Sequence, residues 1–284
     1  MKKESRKKNL RGSLLRKGDR FRIVILSIIG ALIFIPIVFT IIISFKTIPQ
    51  FSHHPFMITL PLHFENYLAA WDKVKLYIWN SAIVCSVACL GILLLAIPSA
   101  YVFARFKFPL SKFLFYLFLS LIMIPPIASL VTRFIMVKKL GIIDTYWGLI
   151  FPYMSGGQVI AIFILRSFFA SIPQELFDAG IIDGASEFTL LRRLVLPLSK
   201  PMIWTVAILN VVSNWNNIIW PLITLSKPKL YPVTVGLLFF RSQFATNEGP
   251  LMAGYVISSI PLIVLFFFAS RSFIRGIAAG ALKG

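Results

Sequence analysis

Ile23 to Phe45 is a run of 23 residues without a charged side chain. A helix rises about 1.5 Å per residue, so a run of this length crosses a hydrocarbon core of about 30 Å. No water is available there to satisfy backbone N–H and C=O groups, which leaves only helices and closed barrels as spanning structures. Comparable runs return at 77–104, 113–132, 146–165, 202–225 and 251–270. Six runs of helical length predict an all-α integral membrane protein with six transmembrane helices. The chain is 58% hydrophobic and only 14% charged, with a mean hydropathy of +0.84, whereas a soluble domain carries about 25% charged residues.

The formal charge of +19 lies mostly at the ends of the apolar runs. It therefore reads as a topology signal and not as a nucleic-acid surface. Ten Lys and Arg fill residues 1–22. A basic tail before an apolar run also opens secretory signals, but 23 residues exceed a signal core and no A-x-A site follows. With the N-terminus inside, 20 of the 29 Lys and Arg fall on the cytoplasmic side and nine outside. This predicts a basic cytoplasmic tail over 1–22 that meets anionic lipid headgroups, a transmembrane domain over 23–284, and both termini in the cytoplasm. No GxxxxGK[ST] loop, nucleophile–base pair or carboxylate pair is visible. Neither an enzyme nor a cofactor is expected.

One polar stretch interrupts the apolar chain. Pro173 to Pro201 holds Glu175, Asp178, Asp183 and Glu187 together with Arg192, Arg193 and Lys200. It reads as two short helices with a bend between them. Pro173 and Gln174 open the first helix, and acids in its first turns suit the helix dipole. Asp183-Gly184 is a turn dipeptide in which Gly184 can take positive φ without a Cβ penalty. Ser186 can cap the second helix, and Pro197 limits its continuation. Leu176, Phe177, Ile181, Ile182, Phe188, Leu191 and Leu194 leave the unit partly apolar. An apolar bent pair on a water-facing loop calls for a partner protein.

The fifth run carries Asn210, Ser213, Asn214 and Asn217 at i, i+3, i+4 and i+7, one face of a continuous helix. Such a stripe is costly toward lipid and should face the bundle interior or a water-filled path. A substrate path and interhelical hydrogen-bond glue both fit it. Pro125-Pro126 breaks the hydrogen-bond ladder of the third run. His53, His54 and His63 share one loop, but without helical i, i+4 pairing or a tight carboxylate cluster no metal site is expected. Cys85 and Cys89, one turn apart within a span, read as small buried hydrophobes.

The pattern P-x-E-L-x-[DE]-A-x-x-x-D-G-A, then F and L-P-L-x-x-P, is similar to the EAA loop of permease subunits in bacterial binding-protein-dependent ABC importers. The matching residues are Pro173, Glu175, Leu176, Ala179, Asp183, Gly184, Ala185, Phe188, Leu196, Pro197, Leu198 and Pro201. The namesake Glu-Ala-Ala triplet is here Asp178-Ala179-Gly180, and Gly180 costs the first helix about 1 kcal/mol against Ala. Further likenesses are Glu65-Asn66-Tyr67, Asn80-Ser81, the segments 100–109 and 165–169, the W-N-x-x-x-W-P-L string from Trp215 to Leu222, and the closing segment 280–284. These resemble the maltose-type, carbohydrate-uptake subfamily, as its second permease.

The resemblance implies a type I importer permease fold in the bacterial cytoplasmic membrane. It implies a coupling helix docked into a cleft on a cytoplasmic ATPase, with Glu175, Leu176, Asp178, Ala179, Asp183, Gly184, Ala185 and Phe188 at the contact. The implied partners are a second permease, two ATPase subunits and an extracytoplasmic solute-binding protein. Asn210, Ser213, Asn214 and Asn217 would then line half of a translocation path for a sugar or oligosaccharide. Two alternatives stand beside it. One is an importer of a related polar solute such as a glycerol phosphate ester. The other is a membrane scaffold or channel whose loop recruits a different cytoplasmic partner. A scaffold has no need of the D-G-A turn together with the W-N-x-x-x-W-P-L string.

Overall fold

The computed structural model describes residues 17–243 and 247–281, with side chains over 21–242 and 247–268. The expected basic tail up to Arg16 and the closing Leu282-Lys283-Gly284 lie outside the described residues. All regular structure among the described residues is helical. In chain order the helices are α1 (Lys17–Ser44), α2 (Ile48–His53), α3 (Glu65–Arg105), α4 (Ser111–Ser120), α5 (Leu130–Lys139) and α6 (Trp147–Phe169). The paired short helices α7 (Gln174–Ile182) and α8 (Glu187–Leu198) follow, then α9 (Lys200–Trp215), α10 (Ile219–Thr224), α11 (Val233–Gln243) and α12 (Glu248–Ala281).

Among the described residues, four helices are long and apolar enough to cross a membrane: α1 from Phe21, α3, α6, and α12 over Glu248–Phe268. The bent pair α8–α9, kinked by 76°, makes a fifth if taken as one span. Two of the six expected runs are not continuous. The third ends as α4 and a tight 3-10 turn over Leu121–Met123, because Ile124 precedes a proline and takes extended backbone with ψ 114°. The helix resumes only at Leu130. The fifth run stops at Trp215 and restarts at Ile219. Asn217 stands in that gap and accepts a hydrogen bond from Trp220 N at 3.1 Å, so it opens the next helix. The expected four-residue stripe is therefore cut, and Asn217 does not share the helix of Asn210, Ser213 and Asn214. The second span begins at Glu65 and not at Tyr77, taking in residues expected as loop. Pro98, Pro152 and Pro261, by contrast, lie within unbroken helices.

The described residues divide into two compact units, one within 1–70 and 244–256 and the other within 71–243 and 257–284. The first is fastened around the end of α1. Asn66 Nδ2 donates to the carbonyls of Ser44 and Lys46 at 2.9 Å each, and Ser44 Oγ meets Tyr67 Oη at 2.7 Å. Lys46 is only 2% exposed, and its ammonium donates to the carbonyls of His54 and Pro55. His63 Nδ1 pairs with Glu65 at 2.5 Å. Among the described residues no three His, Cys, Asp or Glu side chains converge as metal ligands would.

The second unit packs α3, α6 and α9 closely. Lipid is as apolar as leucine, so association in the bilayer depends on close fit more than on exclusion of water. Ala88, Ala96 and Ala100 of α3 are fully buried. A Cβ on Gly157 would collide with Ile92 and with Asn210 Oδ1, so α6 needs glycine there. Asn80 staples the unit: its Nδ2 donates to the carbonyls of Lys229 and Tyr231 at 2.9 Å each, and its Oδ1 accepts from Tyr146 Oη at 2.7 Å. Ser81 Oγ accepts from Val233 N at 2.8 Å. Cys85 and Cys89 are buried free thiols.

Candidate functional site

The bent pair α7–α8 forms as its residues dictate. Gly184 sits in the turn with φ +79°, the left-handed region that only glycine enters freely. Ser186 caps α8, its Oγ accepting from Thr189 N at 3.3 Å. The helix does not stop at Pro197. It loosens into a π turn over Leu191–Val195, continues to Leu198, and bends at Ser199 into α9. Gly180 is explained by contact: a Cβ there would lie 2.6 Å from Leu190 Cδ2. Glycine in α7 lets α8 approach, which offsets its poor helix propensity.

Seven of the eight residues expected at a partner contact are exposed, namely Glu175, Leu176, Asp178, Ala179, Asp183, Gly184 and Phe188; Ala185 is half-buried. Five of the eight line one groove. Leu176, Ala179, Asp183, Gly184 and Ala185 line an open groove of about 540 Å³ with Gly180, Thr189, Leu190, Arg193 and Leu194. Glu175, Asp178 and Phe188 are not among its lining, and Asp178 accepts from Gln174 Nε2 at 2.8 Å. Ile182 and Phe188 are 86% and 70% exposed, apolar side chains projecting from a charged segment.

Two residues of α3, Tyr101 and Arg105, hold this pair to its end. Tyr101 Oη donates to Glu187 Oε2 at 2.6 Å. The Arg105 guanidinium lies 3.5 Å above the Phe177 ring and also donates to Gln174 Oε1. Behind them, Arg166 Nε donates to Phe103 O at 3.3 Å and covers the Phe115 ring at 4.1 Å. Sequence reading missed this latch, although its residues lay in the two segments singled out. Side chains 69 and 86 positions apart leave no periodic trace.

The expected path residues divide as well. Asn210 is buried, donating to Val206 O of its own helix at 2.9 Å. Ser213 is exposed, and Asn214 has its Nδ2 buried without a hydrogen-bond partner among the described residues. Asn217 lines a separate groove of about 260 Å³ beside Pro126, Arg133, Asn216 and Trp220. Trp215 and Trp220 are buried, not interfacial anchors, and Trp220 Nε1 donates to Gly148 O at 3.0 Å.

Residues 92–279 match the binding-protein-dependent transport system inner membrane component family. The chain belongs to this family. The probable ABC transporter permease protein YurM of Bacillus subtilis is 34% identical over 250 residues, 88% of this chain and 83% of that protein. The trehalose/maltose transport system permease protein MalG of Thermococcus litoralis is 31% identical over 270 residues, 92% and 97% of the two chains. A bacterial ABC transporter involved in import of the acidic polysaccharide alginate shares the fold, with a TM-score of 0.79 at 20% identity over 92% of this chain and 99% of that one. This permease is thus an all-helical, multi-pass inner-membrane transport component and not an enzyme. Membership implies ATPase and solute-binding partners.

Proposed function

We propose that this permease is one of two permease subunits in a carbohydrate importer. Two ATPase subunits and an extracytoplasmic binding protein complete the assembly. The six apolar runs, two of them broken, act as six crossings, with both termini and the α7–α8 pair in the cytoplasm. The observation that carries the reading is the α7–α8 pair itself: a capped, bent unit fixed to α3, with a groove on one side and exposed Ile182 and Phe188. Such a surface is costly in water unless a partner covers it. Glu175, Leu176, Asp178, Ala179, Asp183, Gly184, Ala185 and Phe188 are the proposed ATPase-facing residues. Asn210, Ser213, Asn214 and Asn217 are the proposed path residues.

Carbohydrate is favoured by relatives named for trehalose/maltose, for diacetylchitobiose (28% identical, Streptomyces coelicolor) and for melibiose/raffinose/stachyose (29% identical, Bacillus subtilis). A glycerol phosphate ester is the second reading, because the sn-glycerol-3-phosphate permease of Brucella abortus is 29% identical over 90% of this chain. The deciding experiment expresses the permease with its companion permease, ATPase and binding protein, and measures uptake of labelled maltose, trehalose, raffinose and sn-glycerol-3-phosphate. Uptake of a sugar supports the proposal. Uptake of the phosphate ester alone transfers it to the second reading, and an ATPase that fails to co-purify refutes the coupling role.

A further inference from the structure

The two helix breaks inside the bundle face a common groove, that of Pro126, Arg133, Asn216, Asn217 and Trp220. The helices that lead to the two breaks are of similar length. Helix α4 with its 3-10 turn runs 13 residues from Ser111 to Met123, and α9 runs 16 residues from Lys200 to Trp215. At about 1.5 Å per residue these are about 20 and 24 Å. They start from the same side, since the Arg105–Gln174 and Tyr101–Glu187 bonds join the α3 end, next to α4, to the loop that leads into α9.

We infer that this groove is a solute-contact site on the translocation path, taking the hydroxyl and ring oxygens of one sugar unit, with Arg133 as its specificity-determining donor. The inference rests on the importer reading above. Non-helical backbone at membrane depth is tolerated where it is covered by protein or lines a water-filled cavity. Here the gap at 216–218 opens onto the groove, and Asn216 is exposed in it. An exposed amide and a half-buried guanidinium facing lipid would be costly, so the groove belongs on the watery side of the bundle.

Arg133 and Asn217 offer the groove donors, while the Asn216 amide donates to Val212 O at 2.8 Å and leaves its Oδ1 to accept. The Arg133 guanidinium sits 5.5 Å above the Trp220 ring and gives one N–H to Ser129 Oγ at 3.1 Å. No carboxylate among the described residues pairs with it. The Asn217 Oδ1 is already taken by Trp220 N, which leaves its NH₂ to donate. Guanidinium and amide donors without a facing carboxylate suit an acceptor-rich solute. A volume of about 260 Å³ falls below that of drug-sized pockets, roughly 300–1,000 Å³, and has room for one ring at a time.

The test uses the assembled importer in proteoliposomes. Asn216→Cys, in a chain whose native cysteines are both buried, should react with a membrane-impermeant charged thiosulfonate, and reaction should lower uptake of labelled maltose, trehalose or raffinose. Leu94→Cys, on an exposed apolar face of α3, serves as the unreactive control. Arg133→Ala should raise KM about tenfold, the loss of one charge-assisted hydrogen bond, while Arg133→Lys stays nearer wild type and ATPase co-purification is unchanged. An unreactive Asn216→Cys in a complex that carries its ATPase overturns the proposal, as does an Arg133→Ala importer with wild-type KM. If wild type takes up none of the sugars, the carbohydrate reading fails separately. The labelling at Asn216 still decides whether the groove is a water path.

Discussion

Gly184 is the residue on which the α7–α8 turn depends, and the reason is backbone alone. A Cβ added there would meet nothing within 4 Å, yet φ is +79°. A β-branched side chain in that region costs on the order of 1–2 kcal/mol, whereas Asn tolerates it. Gly184→Val is therefore expected to reach the membrane in normal amount, bind the ATPase weakly and lose most uptake, while Gly184→Asn retains both. Co-purification and uptake at matched expression read this out, and equal behaviour of the two variants would remove the backbone argument. Asp144 shows the same device outside the spans. It holds φ +57° and accepts from Ser226 Oγ at 2.5 Å, which keeps its carboxyl below the usual aspartate range.

At the scale of elements, α7 and α8 are matched by the contact at Gly180. Gly180→Ala gains about 1 kcal/mol of helix propensity. It also drives a methyl into Leu190, and overpacking costs about 1–3 kcal/mol. The net expectation is a looser pair and a lower melting temperature of the purified complex, partly recovered in Gly180→Ala/Leu190→Val, which shortens the facing side chain without emptying its place in the core. A single variant as stable as wild type would show that Leu190 simply swings aside. The latch to α3 makes a second prediction. Arg105→Ala removes the Phe177 stack and the Gln174 bond together while leaving the lining of the proposed ATPase-facing groove untouched. ATPase co-purification should persist while the sugar taken up per ATP hydrolysed falls several-fold. Arg105→Ala with an unchanged ratio would mean that the pair moves independently of α3.

For the whole molecule, the split of basic residues makes the final prediction. In sealed vesicles carrying the permease without its ATPase, Ile182→Cys is expected to label only from the cytoplasmic face and Lys227→Cys only from the outer face. Reversed labelling would invert the topology. The apolar runs, the acid-and-base stretch with its Asp183-Gly184 turn, and the Ser186 cap were legible in the sequence because each arises from neighbours within a few residues. Hydrophobic length, capping and left-handed backbone are local physics, and the family pattern lies in the same short segments. The sequence also marked Pro125-Pro126 as a break, since proline acts on the residue just before it. It did not reveal that Asn217 leaves its helix to start another, or that Gly180 yields to Leu190. Nor did it show that Tyr101 and Arg105 grip Glu187, Gln174 and Phe177, or that the two broken runs share one groove. Those features depend on which side chains meet across long stretches of chain. Only the packing of α3, α6 and α9 brings such groups within hydrogen-bond and van der Waals distance, so only the tertiary structure could decide them.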